Sequence, residues 1–202
     1  MADESTRPAH ATRTVETVRG LLTYDQLAPL LAERVLHTQA AIARGELDQA
    51  APGRDLIRTL HAGICSDLVP DWAGRWRTIA VMVGTHEPPP PHEVPLRMHD
   101  YEADLSARLT VLTDQPELLP ETLAFAEGRL LSIHPFRDFN GRVTRLFVPW
   151  LLRRLNLPPV DLVPADASAT AIYLTALRAA DRLDWQPLAA IWEQRLAMPF
   201  DS

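Results

Sequence analysis

Apolar residues recur at helical spacing along most of this chain. Leu27, Leu30, Leu31, Val35, Leu36 and Ile42 fall three or four apart, which predicts a helix of four to five turns from about Tyr24, with Asp25 as a candidate cap. Leu56, Ile57, Leu60, Ile64 and Leu68 predict a second helix that ends near Pro70. Three more are expected over roughly 100–112, 120–133 and 141–155, and the stretch 167–196 reads as two helices broken near Asp184. The rhythm changes in only one place. The run from Thr78 to Gly84 is short, rich in β-branched residues and closed by glycine, which predicts a strand. Pro88 to Pro91 follow as a stiff loop without donors, and Val94 to Met98 would return as a partial second strand. The expectation is an all-α, mainly helical protein carrying one small β-hairpin. Residues 1–13 are polar and poor in apolar side chains, so they read as a mobile tail. The domain is set at 20–198, which leaves 1–19 outside it.

With 202 residues, 47% of them hydrophobic, the chain can bury one core. No apolar run approaches the roughly 20 residues of a membrane span, and the first residues lack the order of a signal peptide. A cytoplasmic protein without membrane contact is expected. A net charge of −6 argues against coating nucleic acid, because neutralising phosphates needs a basic face. Every positive residue is arginine, which excludes lysine-dependent chemistry such as a Schiff base or a Walker phosphate grip. The single cysteine, Cys65, excludes an internal disulfide and reads as a packed thiol. His86, His92 and His99 surround the proline run but lack the spacing of a metal helix, and are assigned to a solvated loop.

Chemistry concentrates in the polar turn between the helices at 120–133 and 141–155. There Ile133 is followed by His134-Pro-Phe-Arg-Asp-Phe-Asn-Gly-Arg-Val-Thr-Arg145. Pro135 disfavours the helical region for His134, so the first helix should stop at the histidine. Asn140-Gly141 can open the next helix. The unpaired amides and the dipole of a helix start favour an anion, above all phosphate. Arg142 and Arg145, three apart, share a face one turn in and can grip phosphate oxygens. Asp138 adds the hard carboxylate that Mg²⁺ prefers when it shares a site with substrate phosphates. Together these residues make a phosphoryl or nucleotidyl transfer site, with His134 taking the proton of an attacking hydroxyl. Singly, each has a plainer reading as a cap, a turn residue or a solvated face.

The same string resembles the Fic/Doc family signature, His-x-Phe-x-(Asp/Glu)-Gly-Asn-Gly-Arg-x-x-Arg, at every specified position but one. The resemblance implies a Fic-type helical bundle with a small β-hairpin flap. It implies that His134 is the general base, that Phe136 anchors the loop, and that Asp138 binds Mg²⁺. Asn140, Gly141 and Arg142 would then hold the α- and β-phosphates, and Arg145 the γ-phosphate or an inhibitory glutamate. Trp72-Ala-Gly-Arg-Trp-Arg77 and the run through Val81, Met82, Val83 and Gly84 look like the family's flap, which clamps an extended target segment. Tyr173 looks like a tyrosine facing the nucleotide base, with core packing as the alternative.

The departure is Phe139, where the family has glycine. Either the turn finds another conformation that still presents its amides, or the pocket is narrowed and the donor or product changes; Phe139 also has the option of packing on the flap. Thr12 and Glu16 fit the first part of the family's inhibitory helix, so Glu16 is a candidate partner for Arg145, with a separate antitoxin-like inhibitor as the alternative. The expected activity is transfer of a nucleoside monophosphate, most simply AMP from ATP, to a Ser, Thr or Tyr hydroxyl of a target protein, as a toxin or regulator. Kinase-type transfer, use of another nucleotide, and a catalytically silent nucleotide-binding module stay open as alternatives. No feature of the sequence bears on oligomeric state.

Overall fold

The computed structural model describes residues 14–197. The elements run β1 (Thr14–Thr17), β2 (Gly20–Thr23), α1 (Tyr24–Ala43), α2 (Arg54–Cys65), α3 (Val94–Val111), α4 (Leu119–Ile133), α5 (Asn140–Arg154), α6 (Ala167–Ala180) and α7 (Gln186–Ala197). The all-α expectation with one small hairpin therefore holds. All seven helices lie where the apolar periodicity puts them, with ends displaced by a few residues. The largest displacement is at α3, which starts at Val94 and not near Asp100.

α4 is the centre of the bundle and packs against α3, α5, α6 and α7. Ten of its fifteen residues are buried, so it is apolar nearly all round, as a core helix must be. It meets the α6–α7 corner at Gly128. A Cβ there would stand 2.9 Å from Ala180 Cβ and 3.0 Å from Leu188 Cδ2, so only glycine permits this approach. On the other side α5 packs on α2 and α1 and buries Val143, Leu146, Phe147, Trp150 and Leu151. The histidine-to-arginine turn, which joins α4 to α5, is thus carried on two core helices.

The hairpin is not where the sequence predicts it. Thr78 to Gly84 forms no strand; Val83 and His86 make one isolated bridge around a turn at Gly84, whose φ is +60°. Its intended partner, Val94 to Met98, is the first turn of α3. Pro95 near the helix start costs nothing there, because the amide it lacks would be unpaired in any case. A β-rich run without a partner strand stays a loop. The observed hairpin instead pairs Thr14 with Thr23 and Thr17 with Gly20, within residues expected to be tail up to position 19. Gly20, at φ +95°, lets the chain reverse after Arg19. Val18 N–H donates to Leu68 O at 2.9 Å, which ties the turn to the segment after α2. Residues 1–13, including Thr12, and residue 198 lie outside the described residues.

α1 begins with Thr23, not Asp25, as its cap. The Thr23 hydroxyl accepts from Gln26 N–H while the Gln26 side chain accepts from Thr23 N–H. This reciprocal capping box fixes the first helical residue, Tyr24. Among the described residues no helix is long and apolar enough to cross a membrane.

Candidate active site

α4 ends at His134, as Pro135 requires, but in the left-handed conformation (φ 49°, ψ 60°) and not an extended one. The last carbonyls of a helix have no partner within it. Here Arg77 supplies one, donating to His134 O at 2.8 Å and to Ile133 O at 3.4 Å, with further bonds to Ile79 O and Pro89 O. Its backbone N–H also donates to Pro135 O at 2.9 Å. One buried guanidinium thus closes α4 and holds both ends of the flap loop. A cation at a helix C-terminus is also favoured by the dipole. The sequence places Arg77 in the aromatic run before the flap, but nothing in its spacing reveals this role.

The His134 ring makes one hydrogen bond in the described structure, from Nδ1 to Leu131 O at 3.3 Å. A carbonyl only accepts, so the proton sits on Nδ1 and Nε2 keeps its lone pair. Burial is the main cause that lowers the His134 pKa to about 4, so the ring is neutral at physiological pH.

The turn after His134 is fixed by its own side chains. Asn140 Oδ1 accepts from Phe136 N–H and Asn140 Nδ2 donates to Phe136 O, both at 2.9 Å. The Asn140 side chain is therefore a clamp on the loop, and the residue is 3% exposed. Phe136 is buried, as anticipated, and stacks on His61 with ring centres 3.8 Å apart. His61, on the apolar face of α2, accepts from Gly74 N–H through Nδ1 at 2.8 Å. Its Nε2–H is then the donor to Asp138 O at 3.3 Å. Burial lowers its pKa to about 4, which preserves this neutral tautomer. A histidine on an otherwise apolar helix face was the available sign of such a buttress. Cys65, one turn on, is buried with its thiol pushed up to about 12 by burial, consistent with a packed, unreactive side chain.

Phe139 keeps the conformation of a glycine despite its side chain. Its backbone is left-handed (φ 63°, ψ 11°), the conformation the family's glycine would take without penalty. The ring is 4% exposed and packs on Trp72, at the start of the flap-like segment, at 5.5 Å, with His61 nearby. Arg142 Cζ lies 5.8 Å from its ring centre. The intrahelical bonds of α5 start with Arg142 and Val143 donating to Phe139 O, which leaves Asn140 and Gly141 as the first two amides of the helix. A Cβ on Gly141 would meet nothing within 4 Å, so the helix start is uncrowded on that side.

These groups face one cleft of about 1450 Å³. Its floor is His134, Arg137, Asp138, Phe139, Gly141, Arg142 and Arg145; its walls are the flap residues Ile79 to Gly84 and strand β1 with Tyr24. Val81, Met82, Val83 and Gly84 border the cleft as loop. The volume exceeds that of an ordinary small-ligand pocket, roughly 300–1,000 Å³, and leaves room for a second occupant. Asp138 is held from three elements: His61 donates to its carbonyl, Phe139 N–H to Oδ1 at 2.7 Å, and the Tyr24 hydroxyl to Oδ2. Among the described residues no three His, Cys, Asp or Glu side chains form a metal cage. One carboxylate beside a helix start, where an anion is favoured, suits a cation that takes its other ligands from phosphates and water.

Three expected residues are placed differently. Tyr173 does not reach the cleft; its hydroxyl donates to the buried Glu127 at 2.6 Å, in a cluster with Trp192 and Arg195 that joins α4, α6 and α7. Glu16 borders the cleft from strand β1 and not from a helix, and no ion pair joins it to Arg145. His86 is no solvated loop residue, because Nε2 contacts Ser132 O at 2.9 Å and Nδ1 lies 3.4 Å from Asp181. His99 lies on α3 beside Arg54, while His92 sits exposed in the turn before it.

The Fic/DOC family model matches residues 51–152, about half of the chain and all of the turn just described. The chain belongs to the Fic/DOC family. Among its relatives, the protein adenylyltransferase Fic of Nematostella vectensis is 35% identical over 108 residues, 52% of this chain and 24% of that protein. Protein adenylyltransferase fic-1 of Caenorhabditis elegans is 32% identical over 133 residues, 66% of this chain and 25% of its own. The matched region thus spans about a quarter of these relatives' length. Among solved structures, the N-terminal Fic domain of a Bartonella effector protein from Bartonella sp. AR 15-3 superposes with a TM-score of 0.73 at 16% identity, covering 97% of this chain and 94% of that one. At that identity the likeness shows the fold.

Proposed function

We propose that this Fic domain transfers a nucleoside monophosphate, AMP from ATP, to a Ser, Thr or Tyr hydroxyl of a target protein. The observation that carries this reading is the shared cleft. A histidine with a bare Nε2, the open amides of Asn140 and Gly141, and the guanidinium groups of Arg142 and Arg145 all border it, although a phenylalanine stands in the glycine position. The triphosphate would lie on the α5 start, where the amides and the dipole favour negative charge. The target hydroxyl oxygen attacks the α-phosphorus, its proton passes to His134 Nε2, the bond from that phosphorus to the bridging oxygen breaks, and pyrophosphate leaves. Bound phosphate charge would raise the His134 pKa from its low value in the free protein. Asp138 would hold Mg²⁺ together with substrate oxygens; the ion supplies charge neutralisation on the leaving phosphates. The flap loop would position an extended target segment at the cleft rim.

The relatives named above are adenylyltransferases by name, which supports nucleotidyl over kinase-type transfer. With Glu16 on a strand and Arg145 without a carboxylate partner among the described residues, we assign control of activity to a separate antitoxin-like chain, in a cytoplasmic toxin or regulator. The test is intact-mass measurement after incubation with Mg²⁺ and each of ATP, GTP, CTP and UTP, with and without lysate protein as target. A nucleoside monophosphate adduct with ATP, absent in His134→Ala, is the expected result. An adduct of phosphate alone, or one that survives the substitution, would overturn the reading.

A further inference from the structure

The residues matched to the family begin at 51, yet one side chain that touches the signature turn comes from well before them. Tyr24 is the first residue of α1 and is only 9% exposed. Its hydroxyl donates to Asp138 Oδ2, across 114 residues of sequence. Three features hold it there. The Thr23–Gln26 capping box fixes the start of α1, Leu27 and Leu31 bury the same helix in the core, and the Val18–Leu68 bond anchors the hairpin that leads into it.

We infer that Tyr24 is a positioning residue for the cation carboxylate, so that the hairpin and α1 form part of the site and are not an appendage to it. The inference rests on the reading of Asp138 as the Mg²⁺ ligand. A carboxylate on a turn can rotate about its side-chain bonds, and each rotamer presents a different oxygen to the cleft. Here Phe139 N–H holds Oδ1, the Tyr24 hydroxyl holds Oδ2, and His61 holds the backbone carbonyl of the same residue. Hydrogen bonds of this kind behind a metal ligand typically change cation affinity 10- to 100-fold. Both walls of the cleft then act on the chemistry: the flap on the target, and the N-terminal unit, through Tyr24, on the cation.

The experiment measures Mn²⁺ binding by the loss of the free-ion paramagnetic resonance signal, in protein saturated with a non-hydrolysable ATP analogue. Tyr24→Phe keeps the buried ring and removes only the hydroxyl. Its expected effect is a rise of about 10-fold in the Mn²⁺ dissociation constant. A constant within twofold of wild type overturns the inference, and so does tighter binding, which would make the hydroxyl a competitor of the cation. Asp138→Ala separates the two levels. If it abolishes Mn²⁺ binding while Tyr24→Phe leaves binding intact, the fault lies with Tyr24 alone. If Asp138→Ala binds Mn²⁺ as wild type does, the assignment of Asp138 itself falls. Should Tyr24→Phe fail to fold by circular dichroism, Thr23→Ala loosens the same residue from its cap and must shift the constant in the same direction.

Discussion

The signature turn and the flap loop border the same cleft but are built in opposite ways. From His134 to Gly141 nearly every residue is tied by a group within the turn or from a core helix: Asn140 to the Phe136 backbone, His61 to Phe136 and Asp138, Arg77 to the end of α4. The flap from Ile79 to His86 has one bridge of its own and otherwise hangs on Arg77 and His86. Ile79, Met82 and Val83 stay exposed. A group that must hold phosphate and move a proton has to be in place before substrate arrives. A segment meant to accept another chain by backbone pairing has to remain unpaired until then. The contrast is thus one of preorganisation against availability.

Asn140→Ala should break the rigid side of this contrast most severely. It removes two buried hydrogen bonds and orphans the Phe136 N–H and carbonyl, at about 1–3 kcal/mol for each unsatisfied group. A loss of about 3 kcal/mol in urea unfolding and of nearly all transfer activity is expected, even in saturating ATP. If stability falls while the rate at saturating ATP is kept, the clamp serves the fold alone.

Phe139→Gly tests how a bulky residue came to occupy a left-handed position. A left-handed backbone costs about 1–2 kcal/mol for a residue with a Cβ, whereas removing a buried phenylalanine ring costs about 3–5 kcal/mol. The ring contacts with Trp72 and Arg142 therefore outweigh the strain, and the glycine variant should be less stable by about 2 kcal/mol. It should still transfer nucleotide, because the backbone keeps the same conformation. A glycine variant more stable than wild type would show that the strain is uncompensated.

The same two regions mark what could be read from sequence. The seven helices follow from 3.6-residue periodicity, and the turn is legible because its conformation is encoded locally: a proline after the histidine, an Asn-Gly pair at the next helix. Phe139 is the instructive exception, since its left-handed backbone contradicts its residue type and is stabilised by Trp72 and His61, far away in the chain. The flap was misread because Thr78 to Val83 has strand composition but no partner, and partnership is a tertiary fact. β1 and β2 were missed because four-residue strands give too few alternations to register. Tyr24 and Arg77 join the site only through folding, and of the two readings of Tyr173 the packed one is met, on the buried acid Glu127.

The smallest effect is expected from His86→Ala, on the available side. His86 contacts Ser132 O at the end of α4 and Asp181 after α6, so it tethers the flap tip to the bundle. His86 and Asp181 are both partly exposed, and losing the tether should cost about 1 kcal/mol of global stability. Local order should change more than that. Amide exchange over residues 79–87 should quicken while the protection of α4 and α5 is unchanged, because the turn that carries His134 does not depend on the tether. In kinetics, KM for the target protein should rise and KM for ATP should not, since the flap borders the cleft where the target segment would enter and the nucleotide rests on α5. A rise in the KM for ATP alone would mean that the flap tip holds nucleotide, and the division between a rigid nucleotide floor and an available target wall would have to be redrawn at His86.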